Sequence, residues 1–564
     1  MSGIFSRLTS YSDEGFSRYL RQVFLSSAGY DDVDLARPII GIGHSISDFS
    51  TCHREMSQFV DAVSRGVLEA GGLPMVFPTM SLPEVMISPT SMLYRNLLAI
   101  EIEETLSSHP IDGAVLIGGC DKTVPAQIMG AVSADVPFVE LVVGPMLTSS
   151  WDGERLGACT DCRQYWAKSR RGEISDEALH EIQGRLATTG GTCMVMGTAS
   201  TMAAAAEALG VAVSHSATAP SPTGDRLRIA VRTGRVAVDA VRRDWSPSKF
   251  LTRASFDNAV TTITALGGST NAVLHLLAIA GRANIPLDLD DFGDISKRVP
   301  VLVDCKPVGV HYLEDLHLAG GVPAVLRELD ELIDREAQTI EGTSLGAQMN
   351  LHPSNSTSDV IRSRERPVSP TGGLIVLRGS LAPGGAIIKA AAASPELRVH
   401  RGPAVVFESP EDVADRIDSP DLNITAASVL ILRNAGPIGA GMPEAGALPI
   451  PESLGRLGVR DMVRVSDARM SGTAFGTVVL HVTPEAAAGG PLSLVRDGDI
   501  IELDLDEGRL DLLVEREELE RREGELVVRP LARRGWRRMF EQNVLQADQG
   551  VDFGFLRGNE RSES

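Results

Sequence analysis

Aromatic residues are scarce in this chain of 564 residues, at 4%. Cysteines number only six, which rules out a framework of disulfides. No segment offers the ~20 consecutive apolar residues that a membrane-spanning helix needs, so no membrane partner is expected. The N-terminal stretch MSGIFSRLTSYSDEGFSRYLRQVFLSSAGY lacks the unbroken apolar core of a secretory signal, and a cytoplasmic location follows as the expectation. Phe16, Tyr19, Leu20 and Phe24 in it share one helical face, which predicts a surface helix packed on the body. Positive charge is short as well: 53 Lys and Arg face 74 Asp and Glu, a formal net charge of −21. Such a surface repels a phosphate backbone and argues against nucleic acid as a partner. A small anionic substrate is still admissible, because a bound cation reverses the field locally.

Glycine is plentiful, at 55 residues, within an ordinary balance of 43% hydrophobic and 23% charged residues. The length exceeds what one core usually organises, so two or more domains are expected. In the first two-thirds, Ile39–Ile42, Gly113–Ile117, Phe138–Val143 and Val211–Val213 read as buried strands. Met56, Val60, Val63 and Val67 mark a helix that stops at Gly71-Gly72, and the Ala-rich stretch around Met202–Val213 reads as a packed helix leading into a strand. This alternation predicts an α/β domain over residues 1–370 with a mostly parallel sheet, whose functional groups gather at the carboxyl ends of the strands. Leu345–Pro370 turns polar and reads as a linker. Beyond it, Leu374–Leu377, Ala404–Phe407, Val429–Leu432 and Thr477–Val482 are β-rich runs, and Ile500–Leu505 with Arg509–Val514 reads as a hairpin. A smaller β-barrel-like domain is expected over 371–564.

Three cysteines share one setting. Cys52, Cys120 and Cys193 each sit in a loop before a helical segment, where amide donors and the helix dipole favour a thiolate. Three small buried hydrophobes are the plainer reading; a soft-metal site is the functional one. Cys159 and Cys162 look like half of a zinc ribbon, but no second pair follows and Cys305 stands alone, so the pair is assigned to packing. Asp121 and Lys122 follow Cys120 at once, and a carboxylate beside a soft-metal ligand suggests a neighbouring hard cation. Glu444 lies in a glycine-rich loop, GAGMPEAG. Ser471 lies between Met470 and Gly472 outside any G-x-S-x-G elbow, and no spacing names His and Asp partners for a hydrolase triad.

CDKTVPAQIMG (Cys120–Gly130) and VSDARMSGT (Val465–Thr473) resemble the two signature segments of the dihydroxy-acid dehydratase / sugar-acid (aldonate) dehydratase family. SDFSTCH, AGGLPMVFPT, GGTCMVMGTASTMA, ALGGSTNAVLHLLAIA and HVTPEAAAGGPLSLV extend the resemblance over nearly the whole chain. The resemblance implies a [2Fe-2S] cluster held by Cys52, Cys120 and Cys193. It implies a Mg²⁺ site from Glu84, Asp121, Glu444 and a carbamylated Lys122, with Ser471 as base and Thr473 beside it. It further implies a site in the cleft between the domains, a homodimer or homotetramer, and loss of water from a small polyhydroxy acid to give a 2-keto acid.

RNAGPIGAG, LPIPESLG and the tail Gly535–Leu556 are most similar to the pentonate/hexonate branch, rather than to the dihydroxy-acid dehydratases of branched-chain amino-acid biosynthesis. In that tail, Trp536, Arg538, Gln542, Gln546 and Asp548 supply polar groups to line or buttress a site. One departure stands at Gly439-Ala440-Gly441-Met442, which lacks the proline that often precedes the Gly-Met and puts the placement of the Glu444 loop in question. An electron-transfer or redox-sensing iron–sulfur protein is the rival class. It would need a fourth cluster ligand and no Mg²⁺ site.

Overall fold

In the computed structural model, which describes residues 3–8, 11–351, 359–526 and 529–558, apolar runs become strands where both faces can be covered. Strands β1 (Ile39–His44), β2 (Leu73–Pro78), β3 (Gly113–Gly118) and β4 (Phe138–Val142) form a parallel sheet in the order β2-β1-β3-β4. Helix α1 (Met56–Glu69) covers one face together with a later helix, Gly224–Arg242, while α2 (Met92–Ser108) and α3 (Cys120–Ala134) cover the other. α1 crosses from β1 to its neighbour β2, α2 passes from β2 over β1 to β3, and α3 crosses from β3 to β4. The first runs in the direction opposite to the other two, so right-handed crossovers put them on opposite faces. The α1 contact is close because Gly66 leaves it room: a Cβ there would lie 2.0 Å from the Val231 carbonyl oxygen. The four-strand order reverses direction between β1 and β3, which opens a crevice at their carboxyl ends.

After a small hairpin of β5 (Ser149–Trp151) and β6 (Glu154–Leu156), the N-terminal half is largely helical. The expected strand Val211–Val213 is reduced to a single bridge between Ala212 and Glu140. The reason is local: Gly210 turns through a left-handed φ of 82° just before it, and Glu207 captures the amides of His215 and Ala217 just after it. The expected N-terminal helix forms as Glu14–Ser26, but Phe16, Tyr19 and Phe24 are exposed rather than packed on the body. Leu25 instead packs against the core, and Arg21 ties the helix down by donating to the carbonyls of Ile4, Ser6 and Arg7. Of the expected linker, residues 345–351 are helical, 352–358 lie outside the described residues, and Ile361 and Ser369 bridge back to Val303 and Val301.

The second half is an eight-stranded sheet of β7 (Ile375–Leu377), β8 (Gly385–Ile388), β9 (Val399–Phe407), β10 (Val429–Leu432), β11 (Arg464–Ser466), β12 (Val478–Thr483), β13 (Ile500–Asp504) and β14 (Arg509–Leu513). Their order is β14-β13-β9-β10-β11-β12-β8-β7, and a bridge between Arg378 and Arg509 nearly closes the sheet into a barrel. Alternate side chains such as Ala404, Val406, Val429, Ile431 and Val465 fill its interior, while Phe407, Leu430 and Leu432 pack outside. Strands β9 to β12 pair in parallel, so β10 and β11 send their carboxyl ends, and the loops after them, toward the same side.

Candidate functional site

The loops at the carboxyl ends of both sheets meet in one cavity of about 250 Å³. Cys52 enters from the loop after β1, Glu84 from the loop after β2, and Cys120 and Asp121 from the first turn of α3, after β3. Cys193 comes from the loop before the helix Thr198–Leu209. The barrel contributes Glu444 from the loop after β10, and Ser471 and Thr473 from the loop after β11. Eight of the nine residues singled out in the sequence therefore line one space. The ninth, Lys122, lies fully buried behind it.

The carboxylates converge most tightly. Glu84, Asp121 and Glu444 each place an oxygen within 4.8 Å of the others, the spacing of an oxygen cage for a hard cation. Two buried cations face them. Lys122 Nζ lies 3.2 Å from Glu84 and 3.7 Å from Asp121. Arg469 donates to Glu84 and to Glu444, at 2.6 Å each, and is itself held by the Met442 carbonyl and Thr90 Oγ1. Ser91 Oγ also donates to Glu84. Burial opposes ionisation of Glu84, but the charges of Arg469 and Lys122 outweigh it and hold its pKa below the ordinary range. For Glu444 burial wins: Arg469 offsets it only in part, and the carboxyl is pushed up to about 7. Burial likewise raises Asp121 against the pull of Lys122.

Four thiols line the cavity. Cys52 and Cys120 both face it at the crevice between β1 and β3, and the Cys52 loop packs on Gly119, just before Cys120, where a Cβ would lie 2.9 Å from the Cys52 carbonyl oxygen. Cys120 takes a left-handed φ of 71° at the start of α3, a strained backbone of the kind that clusters at functional sites. His53 fixes the Cys52 loop, with one ring nitrogen 2.7 Å from Ser81 Oγ and the other 2.8 Å from the Gly119 carbonyl. Cys193 Sγ lies 3.1 Å from Cys159 Sγ. The Cys159/Cys162 pair, assigned to packing from the sequence, stays together against one small cluster but differs in exposure to the cavity. Cys159 lines the cavity, while Cys162 packs into the small clusters around Tyr165 and Tyr312. Hydrogen bonds from Cys162 and Cys193, with the nearby Arg163 charge, overcome burial and favour the Cys159 thiolate.

Ser471 Oγ lies 2.8 Å from Thr473 Oγ1, and Arg163 Nε points at the same threonine hydroxyl from 3.4 Å. The loop is pinned to the N-terminal half: Asn271 donates to the Met470 carbonyl at 3.0 Å and Thr160 to the Thr473 carbonyl at 3.2 Å. Gly472 permits this approach, since a Cβ there would lie 2.6 Å from Ser269 Cβ and 2.9 Å from Thr198 N. Asp467 braces the two barrel loops by accepting from the amides of Ala435 and Ala486. The Glu444 loop still reaches the cavity despite its missing proline, through left-handed Gly441 and Met442.

The C-terminal tail does not line the cavity within this chain. Trp536 donates to the Leu93 carbonyl, and Asp552 forms a buried pair with Arg282 at 2.8 Å. Gln546 buttresses from a distance: it donates to Glu485, which in turn accepts from the amides of Ile438 and Gly439 at the base of the Glu444 loop. Arg469, Arg163, His53 and Cys159 are the site residues that sequence reasoning missed. The first lay in plain view two residues before Ser471.

The description "Dihydroxy-acid/6-phosphogluconate dehydratase N-terminal" matches residues 37–348, and its C-terminal counterpart matches residues 359–551. The chain is 45% identical to the 6-deoxy-6-sulfo-D-gluconate dehydratase of Pseudomonas putida, over 93% of this chain and 92% of that protein. It is 44% identical to the L-arabonate dehydratase of Azospirillum brasilense, over 97% and 95%. To the dihydroxy-acid dehydratase of Halothermothrix orenii it is 36% identical, over 90% and 93%. Among the described residues, no helix is long and apolar enough to cross a membrane.

Proposed function

Since the chain belongs to the dihydroxy-acid/6-phosphogluconate dehydratase family, we propose that its cavity removes water from C2 and C3 of a sugar acid, a pentonate or hexonate, to give the 2-keto-3-deoxy acid. The observation that carries this reading is the meeting of an oxygen cage, a wall of thiols and a serine–threonine pair in one cavity, brought together from loops of both halves of the chain.

The donor sets suit the groups that the family resemblance implies. Three carboxylate oxygens and Lys122, as its carbamate, offer the hard ligands that Mg²⁺ takes, and the thiols offer the soft ligands of a [2Fe-2S] cluster. When bound, these groups supply Lewis acidity toward the substrate's carboxylate and hydroxyl oxygens. The remaining work falls to the chain. Ser471 Oγ takes the C2 proton, and a serine does so only where nearby positive charge lowers its pKa. Thr473 orients that oxygen from 2.8 Å, and Arg163 supplies a cation on the same wall. Arg469 holds Glu84 and Glu444 in mutual register, and His53 holds the Cys52 loop against the end of β3. Arg163 and Thr473 also offer donors to substrate hydroxyls, which favours a polyhydroxy acid over one bearing methyl groups.

The working form is a cytoplasmic homodimer or homotetramer acting on a small molecule. The test is anaerobic incubation of the purified protein with C5 and C6 aldonic acids. Formation of 2-keto-3-deoxy acid, stopped reversibly by a chelator that leaves the iron–sulfur absorbance intact, is expected. No keto acid from any member of the panel would overturn the reading.

A further inference from the structure

The cavity holds one more thiol than the family resemblance calls upon. Cys52 and Cys120 line it from the loops after β1 and β3, and Cys159 and Cys193 stand together at 3.1 Å. All four line the same cavity, whereas Cys162 and Cys305 do not. The contact of Cys159 with Cys193 is built by the backbone, since the Met194 amide donates to the Ala158 carbonyl at 3.2 Å and so binds the Cys193 loop to the Cys159 loop. The Cys159 loop is fixed in turn: Ala158 donates to the Leu186 carbonyl at 3.0 Å, and Gly157 donates to the buried Asp161 carboxylate at 2.8 Å.

A [2Fe-2S] core has two irons, and each takes two ligands from outside the core, by preference soft thiolates. Three cysteines leave one of those places open. Four thiols on one cavity match all of them.

We propose that Cys159 is a fourth thiolate of this site in the resting enzyme, closing the iron position that Cys52, Cys120 and Cys193 leave open, and that it yields this position when substrate enters. The inference rests on the cluster reading given above. In the exchange a substrate hydroxyl oxygen donates an electron pair to the iron while the Cys159–iron bond breaks and the thiolate keeps its own pair. No iron changes oxidation state and no external oxidant is needed. Arg163, on the same cavity wall, stands ready to balance the released charge. The consequence is an enzyme whose reactive iron is shielded from oxygen until a substrate is present.

Mössbauer spectroscopy of anaerobic, iron-isotope-enriched holoenzyme decides the matter. The resting wild type should show one class of iron, all-sulfur in its ligands, and addition of a C5 or C6 aldonic acid should split it into two. Cys159→Ala should show two classes from the start, with unchanged iron per chain and a cluster lost several-fold faster in air. Cys162→Ala should match the wild type. Two classes of iron in the resting wild type, unaltered by Cys159→Ala, would overturn the assignment of Cys159 alone. Wild-type protein that takes up no iron and sulfide under anaerobic reconstitution would overturn the cluster reading itself, and this inference with it.

Discussion

Replacing Arg469 with methionine keeps most of the side chain's length and removes its charge. Arg469 is fully buried and bridges carboxylates from the two halves of the chain, Glu84 and Glu444, at 2.6 Å each. Without it, those groups and the Met442 carbonyl lose their donor, and Lys122 is left as the cation beside Glu84 and Asp121. Removing one partner of a buried ion pair costs ~3–5 kcal/mol, a large share of the ~5–15 kcal/mol that holds a typical fold together. Urea unfolding in chelator-treated buffer at neutral pH should therefore show Arg469→Met destabilised by about that amount. Mg²⁺ should then return more stability to the variant than to the wild type, because it meets carboxylates that no guanidinium already occupies. At a hundredfold excess over its Kd, a ligand adds ~2.7 kcal/mol, enough to recover more than half of the smaller loss. A variant within ~1 kcal/mol of wild type in chelator, and indifferent to Mg²⁺, would refute the reading of Arg469 as the clamp of a cation site.

Ser471→Ala should keep iron, Mg²⁺ and substrate affinity yet lose exchange of the C2 proton with solvent, at a cost of ~10²–10⁴-fold in turnover; a rate close to wild type would remove serine from the mechanism. Gly472→Ala should drive the Ser471 loop off Ser269 and Thr198, lowering kcat more than its ~1–3 kcal/mol cost in stability explains, and an unchanged kcat would contradict the close approach. Lys389 is fully buried, its Nζ has no partner among the described residues, and burial pushes its pKa from 10.5 down to about 7. A depressed lysine stabilises least below its folded pKa, so Lys389→Met should gain roughly 4–5 kcal/mol at pH 7 and below, with the gain fading toward pH 10.5. A gain independent of pH would show that the ammonium is not the cause.

The parallel strands were legible because burial on both faces writes itself as an apolar run, as in Ile39–Ile42 and Val429–Leu432. Val211–Val213 carries the same signature, but a glycine before it and a side-chain capture after it pull the chain off the sheet edge. The face of Phe16, Tyr19 and Phe24 shows the converse limit: periodicity announces an amphipathic helix, not what covers it. Within the site, the thiols after β1 and β3 were readable from their place beside helix starts. The contact of Cys159 with Cys193 was not, because the short spacing to Cys162 drew attention to that neighbour and the second thiol arrives from another loop. Arg469 escaped for a related reason. Sequence gives a charge but not its burial, and the carboxylates that make the burial tolerable lie in loops from both halves of the chain.

The most direct measurement of the central claim is the ratio of kcat/KM for C5 and C6 aldonic acids to that for dihydroxyisovalerate, with anaerobically purified enzyme and saturating Mg²⁺. Under the proposed function, donors such as Arg163 and Thr473 would go unpaired against two methyl groups, and the expected ratio is on the order of 10² or more for at least one aldonate, about 2.7 kcal/mol of discrimination. A ratio below one, with dihydroxyisovalerate the better substrate, would contradict the assignment to sugar acids.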